Sequence, residues 1–140
     1  MKRIVSLFLL FLLIPAFTGC EKEKALKDLV IGKWEIKSQT LIFYKNGVKL
    51  EEVTENFQPN EQWIEILSDG TGNHYTDGEI DDPFTWTLNG TMMTVVLTLE
   101  TMEVEVTVDG DTMTYKLSRT EIDGVDTYKT DMISVAKRIS

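Results

Sequence analysis

Five dipeptides constrain this chain more tightly than anything else in it. Asn46-Gly47, Asp69-Gly70, Asn89-Gly90, Asp109-Gly110 and Asp123-Gly124 punctuate residues 33–140, and each stands between runs in which apolar and polar side chains alternate. Asn-Gly and Asp-Gly tolerate the positive φ that tight hairpin turns demand, so they favour two-residue loops between antiparallel strands. From Lys33 onward no helical period competes with the alternation. The chain therefore reads as all-β, an up-and-down antiparallel meander.

Two-residue turns would also set the register. A turn at Asn89-Gly90 places Leu88 opposite Thr91, Trp86 opposite Met93 and Phe84 opposite Val95. A turn at Asp109-Gly110 places Val106 opposite Met113, Val104 opposite Tyr115 and Met102 opposite Leu117. In both hairpins the large apolar residues then share one face, and a one-residue slip would scatter them. The apolar residues change from odd to even numbers between Leu99 and Met102, which puts another turn at Glu100-Thr101. A turn at Asp69-Gly70 pairs Ile64 with Tyr75 and Glu65 with His74, leaving the histidine on the outside.

The count is eight or nine strands, each with one apolar face. Such a meander is expected to close into a barrel, because closure removes exposed edges. The inward set begins with Trp34 and Ile36, then Ile64 and Ile66, Tyr75, and Phe84 with Trp86. It continues with Met93, Val95 and Leu97, then Val104 and Val106, and ends with Met113, Tyr115 and Leu117. An eight-stranded barrel is about the size at which side chains either fill the interior or leave room for one small ligand. Two functions follow. An open interior would make a binding module for a small apolar or amphipathic molecule. A filled one would make an accessory protein that works through its acidic outer surface on an envelope partner.

Ahead of the first strand, residues 25–31 can form one or two helical turns with Leu26, Leu29 and Val30 on one side. Gly32-Lys33-Trp34 follows, and this Gly-x-Trp start resembles the signature of the lipocalins and their calycin relatives. The resemblance implies that Trp34 plugs the closed end of a barrel, with a basic residue of the last strand over its ring. Lys137 and Arg138 are both placed for that role, and strand parity does not decide between them. Trp86-Thr87-Leu88-Asn89-Gly90 adds a second likeness, to the central Trp-x-Leu-x-Gly hairpin of small lipocalin-like lipoproteins of Bacteroidetes. That resemblance spans residues 28–140.

Residues 1–19 carry Lys2 and Arg3, an apolar run to Phe17, and then Thr18-Gly19. This is the order of a secretory signal. Thr18-Gly19-Cys20 resembles a bacterial lipobox, in which the cysteine receives diacylglycerol and acyl chains such as palmitate. Cys20 is the only cysteine in the 140 residues, so it has no disulfide partner within the chain. Residues 20–27 would then be the lipidated N-terminus and a charged tether. The resemblance implies a lipid anchor at Cys20 in the outer membrane, facing either the periplasm or the cell surface.

The charge excludes one class of partner. Loss of Lys2 and Arg3 with the signal would take the net charge from −9 to −11. Such a chain repels nucleic acid, and no basic patch offsets this. Nothing in the sequence points to an enzyme: there is one histidine, His74, and no nucleophile–base set. Asp77-Gly78-Glu79-Ile80-Asp81-Asp82 is acidic, but its spacing suits an exposed turn better than a calcium loop. No metal or cofactor is expected.

Overall fold

The structure, a computed structural model, describes residues 24–140. A single helical turn, α1 (Leu26–Leu29), precedes nine strands: β1 (Gly32–Lys45), β2 (Val48–Asn56), β3 (Gln62–Ile66), β4 (Thr71–Thr76), β5 (Glu79–Asn89), β6 (Met92–Val96), β7 (Thr101–Asp109), β8 (Thr112–Asp123) and β9 (Asp126–Arg138). Every pairing is antiparallel. β1 pairs with β3, the ladder runs on through β4 to β9, and β9 returns to β1, so eight strands close a barrel and β2 is extra.

The extra strand fits because β1 is long. Gly32–Glu35 pair with β3, whereas Ser38–Lys45 pair with β2 along the same edge. β9 follows the other edge of β1 from Trp34 to Lys45. On the far side, the β7–β8 ladder ends at Glu105 and Lys116, although β8 continues beside β9 to Asp123. The upper halves of β2, β1, β9 and β8 therefore form a four-stranded arm that extends past the barrel wall. An ion pair from Arg119 of β8 to Glu100, 2.5 Å, crosses the place where β7 and β8 part.

Turn chemistry explains which registers hold. Asn46 and Gly47 both have positive φ, 50° and 80°, and Lys45 pairs with Val48 around them. That is the two-residue loop expected of Asn-Gly. At Asn89-Gly90 the turn sits one residue later: Asn89 pairs with Met92, and only Gly90 of the loop has positive φ. Glycine thus takes the first central position of the loop, as in a type II′ turn. The Asp109–Thr112 pair shows the same shift around Gly110. The pairs expected from the sequence are corrected accordingly, with Trp86 opposite Val95, Leu88 opposite Met93, Val108 opposite Met113 and Val106 opposite Tyr115. Because moving both turn positions keeps the parity, the apolar faces stay together. The turn placed at Glu100-Thr101 lies slightly earlier, closed by Leu97 N donating to Glu100 O, and Thr101 already belongs to β7.

The Asp69-Gly70 hairpin departs further. Its loop is Ser68-Asp69-Gly70, closed by Leu67 N donating to Thr71 O at 2.9 Å, with positive φ at Gly70 alone. Three residues instead of two shift β4 by one, so Ile64 pairs with His74 and Trp63 with Tyr75. A one-residue shift turns every β4 side chain to the other side of the sheet.

The core gathers at the end where β1 starts and β9 finishes. Val30, Trp34 and Ala136 are fully buried, and Ile66, Trp86, Met93, Val104, Val106, Met113 and Leu117 complete the cluster. Burying aliphatic and aromatic side chains of this size contributes about 1.5–3 kcal/mol each.

Candidate functional site

The closed end is built around Trp34. Its indole Nε1 donates to the Val30 carbonyl at 2.8 Å, tying β1 to the residue that caps the C-terminal end of the helical turn. Arg138 lies over the ring, its Cζ 4.2 Å from the centroid. The same guanidinium donates to Leu29 O at 2.6 Å and Ile31 O at 2.9 Å, so it also satisfies a carbonyl that the end of α1 leaves free and one just beyond it. Gly32 is required here for two reasons. Its φ is +137°, and a Cβ would stand 2.7 Å from Arg138 Nη1 and 2.8 Å from Ser140 O. Lys137 faces the other way and donates to Thr112 Oγ1. Of the two basic residues left open by the sequence, Arg138 is the one on Trp34.

Above this plug the barrel is hollow. A cavity of about 260 Å³ runs up between the strands, bounded by Ile64 and Ile66 of β3, Phe84 of β5, Met93 and Val95 of β6 with Leu97 just beyond, Val104 and Val106 of β7, and Met113 and Tyr115 of β8. These ten residues belong to the inward set read from the sequence. Met102 and Met132 also contribute walls. Phe84 is held by a close approach: a Cβ on Gly72 would fall 2.3 Å from its Cζ. The aromatic ring therefore lies across a glycine, and the width of the cavity on that side depends on the missing side chain.

Other residues of the inward set lie elsewhere. Trp86 and Leu117 are buried in the core but do not line the cavity, and the Trp86 indole is engaged by Leu67 O and Thr71 O. Ile36 is buried beside the bulge at Lys37, outside the cavity lining. Tyr75 is a correction. The three-residue loop turns it outward, where its ring stacks on Trp63 at 3.6 Å and its hydroxyl donates to Glu65. The same shift brings His74 to the cavity, reversing its expected place on the outer face. Cys20 lies outside the described residues.

The mouth is acidic, which the alternation did not reveal. Asp81 and Asp82 both line it although they are adjacent. A bulge allows this: His74 pairs with Asp82 and Tyr75 with Ile80, leaving Asp81 as the extra residue. His74 sits between Gln62, with 2.8 Å from Nε2 to Oε1, and Asp81, with 3.4 Å from Nδ1 to Oδ2. No lysine or arginine lines the cavity among the described residues. Among those residues, too, no His, Cys, Asp and Glu side chains converge as metal ligands.

Deeper in the barrel, polar atoms are few. Tyr115 reaches the cavity from β8, opposite Ser134 of β9. Burial pushes the Tyr115 phenol above its usual pKa, and the neighbouring Ser134 hydroxyl offsets this only in part. Ser134 is fully buried, and its Oγ has no hydrogen-bond partner.

No protein family, curated protein or solved structure matches the chain. The closed eight-stranded antiparallel barrel is consistent with a calycin-like fold, and the cavity geometry carries the functional argument.

Proposed function

We propose that this protein is a non-catalytic binding module that holds a small apolar or amphipathic molecule inside the barrel, anchored to the bacterial cell envelope through acyl chains on Cys20. One observation carries the reading: a closed barrel, plugged at one end by Trp34 and Arg138, contains an apolar cavity of about 260 Å³. Small-molecule sites are concave and mostly apolar, with a few placed polar groups and volumes of roughly 300–1,000 Å³. This one falls just under that range, which suits a ligand of one or two rings better than a sterol. Removing the ligand's apolar surface from water would supply about 25 cal/mol per Å². The anchor rests on the lipobox-like Thr18-Gly19-Cys20, and it would hold the cavity beside a source of apolar molecules.

The test is a titration of the purified protein with mono- and bicyclic aromatic compounds, followed by calorimetry, with Met93→Phe as the control. Met93 is 4% exposed and forms part of the wall, so a larger side chain there should take up ligand space. Saturable binding that weakens at least tenfold in Met93→Phe supports the cavity as the site. No saturable binding across the panel would remove the reading.

A second reading draws on the arm. Val48, Leu50, Ile122 and Val125 are 65%, 62%, 77% and 98% exposed, on the two hairpins whose turns meet through the Asn46–Asp126 hydrogen bond. Apolar exposure of this kind suits contact with an envelope protein. It is the accessory-protein alternative, moved from the acidic surface to the arm.

A further inference from the structure

We propose that the cavity selects small neutral molecules carrying a hydroxyl or carbonyl group, and that the Tyr115 phenol, with Ser134 opposite it on β9, is the hydrogen-bonding handle that receives that group. The inference rests on the cavity being a ligand site, as argued above, and adds the chemical class of the ligand.

Three observations support it. The first is the Ser134 hydroxyl, which is fully buried, lies outside the cavity lining opposite Tyr115, and has no hydrogen bond of good geometry. Buried polar atoms are nearly always satisfied, and an exception needs a reason such as a bound group. The second is its neighbour. Tyr115 lines the cavity and lies opposite Ser134 in the β8–β9 ladder; like any ordinary phenol it is protonated at neutral pH, and burial shifts it further in that direction. A neutral phenol both donates and accepts, so Tyr115 can serve a ligand hydroxyl or carbonyl, with Ser134 as its own second partner, while the remaining walls take up apolar surface.

The third observation excludes anions. Asp81 and Asp82 stand at the mouth, and no lysine or arginine lines the cavity among the described residues. A ligand carboxylate would have to enter past two carboxylates and be buried without a counter-ion, which is costly. His74 does not supply one freely, because it is already engaged by Gln62 and Asp81. Fatty-acid anions are therefore poor candidates despite the apolar walls, and a pure hydrocarbon would leave the handle unused.

Three probes of one shape separate these terms: naphthol, naphthalene and naphthoate, titrated by calorimetry into the purified full-length protein at neutral pH. Naphthol should bind about three- to tenfold more tightly than naphthalene, the scale of one net neutral hydrogen bond, and naphthoate should bind weakest. Tyr115→Phe should abolish the advantage of naphthol over naphthalene, the ratio of their affinities being the readout. Ser134→Ala removes an unpartnered hydroxyl at little risk to folding, and should reduce the same advantage. Asp81→Asn together with Asp82→Asn should improve naphthoate alone. Equal affinity for naphthol and naphthalene, as when water already satisfies Ser134, would overturn the handle. Tight binding of naphthoate would overturn the selection against anions. If none of the three binds saturably, the binding-module reading falls and takes this inference with it.

Discussion

Arg138 shows how one side chain can hold several elements at once. It stacks on Trp34, donates to Leu29 O and Ile31 O, and passes over Gly32, where a Cβ would collide with it. Stacking of a guanidinium on an indole contributes about 0.5–2 kcal/mol, and hydrogen bonds involving a charged group about 1.5–3 kcal/mol each. Arg138→Met keeps the length of the stem but loses the charge and both donors, so it should destabilise the protein by about 2–4 kcal/mol. Lys137→Ala should cost less than about 0.5 kcal/mol, as is usual for surface positions. Trp34→Ala, which empties the plug, should cost about 3–5 kcal/mol. Urea denaturation monitored by far-UV circular dichroism orders the three. Equal effects of the two basic substitutions would mean that Arg138 does not hold the closed end.

At the scale of elements, the arm relies on a buried carboxylate. Asp131 of β9 is 3% exposed on the face of the arm that also carries Lys116, Ser118 and Lys129. Burial raises its pKa, but bonds from Ser118 at 2.6 Å and Lys129 at 3.2 Å, with the charges of Lys116 and Lys129, outweigh burial and hold it below the usual carboxylate value. A depressed folded pKa means that the ionised form favours the native state. That stabilisation is complete above the unfolded pKa, about 3.9 for aspartate, and is lost as the pH falls through the lower folded value. Both lysines are partly exposed, so solvent screening reduces their share. Asp131→Asn should cost about 1–2 kcal/mol at neutral pH, and the gap to wild type should shrink below about pH 4. The check is denaturant unfolding across that range. A gap that does not change with pH would show that the carboxylate charge contributes nothing to the arm.

For the whole molecule, closure and the proposed lipid anchor address different problems. Pairing β1 with β9 closes the ladder and removes the edges within the barrel wall. In the arm, β2 and the upper half of β8 keep free outer edges among the described residues, and Lys49, Glu51, Glu52 and Glu55 place charge along β2. Charged edges of this kind discourage unwanted strand pairing. Membrane association is expected to depend on the segment outside the described residues. Each buried acyl CH₂ contributes about 0.8 kcal/mol, so two or three chains suffice for stable anchoring. Mass spectrometry of the membrane fraction should find acylated Cys20 as the N-terminal residue, and Cys20→Ala should release the protein from that fraction. An unmodified Cys20 in membrane-bound wild type would rule out the lipid anchor.

The sequence by itself determined the class of fold and most of the cavity wall. Turn dipeptides and alternation are local, and parity survives when a turn slides along both strands, so Met93, Val95, Val104, Val106 and Met113 kept the inward side despite shifted pairings. Loop length is not encoded in a dipeptide. Asp69-Gly70 closed a three-residue loop, and that single extra residue exchanged Tyr75 for His74 at the cavity. Nor does alternation announce a bulge, which is how two adjacent aspartates, Asp81 and Asp82, came to line one mouth. The tertiary structure also chose Arg138 over Lys137, because only closure of β9 on β1 fixes which residue faces Trp34. It decided, finally, that the barrel is hollow, since unfilled volume depends on how eight walls pack around a shared centre and not on the residues of any one strand.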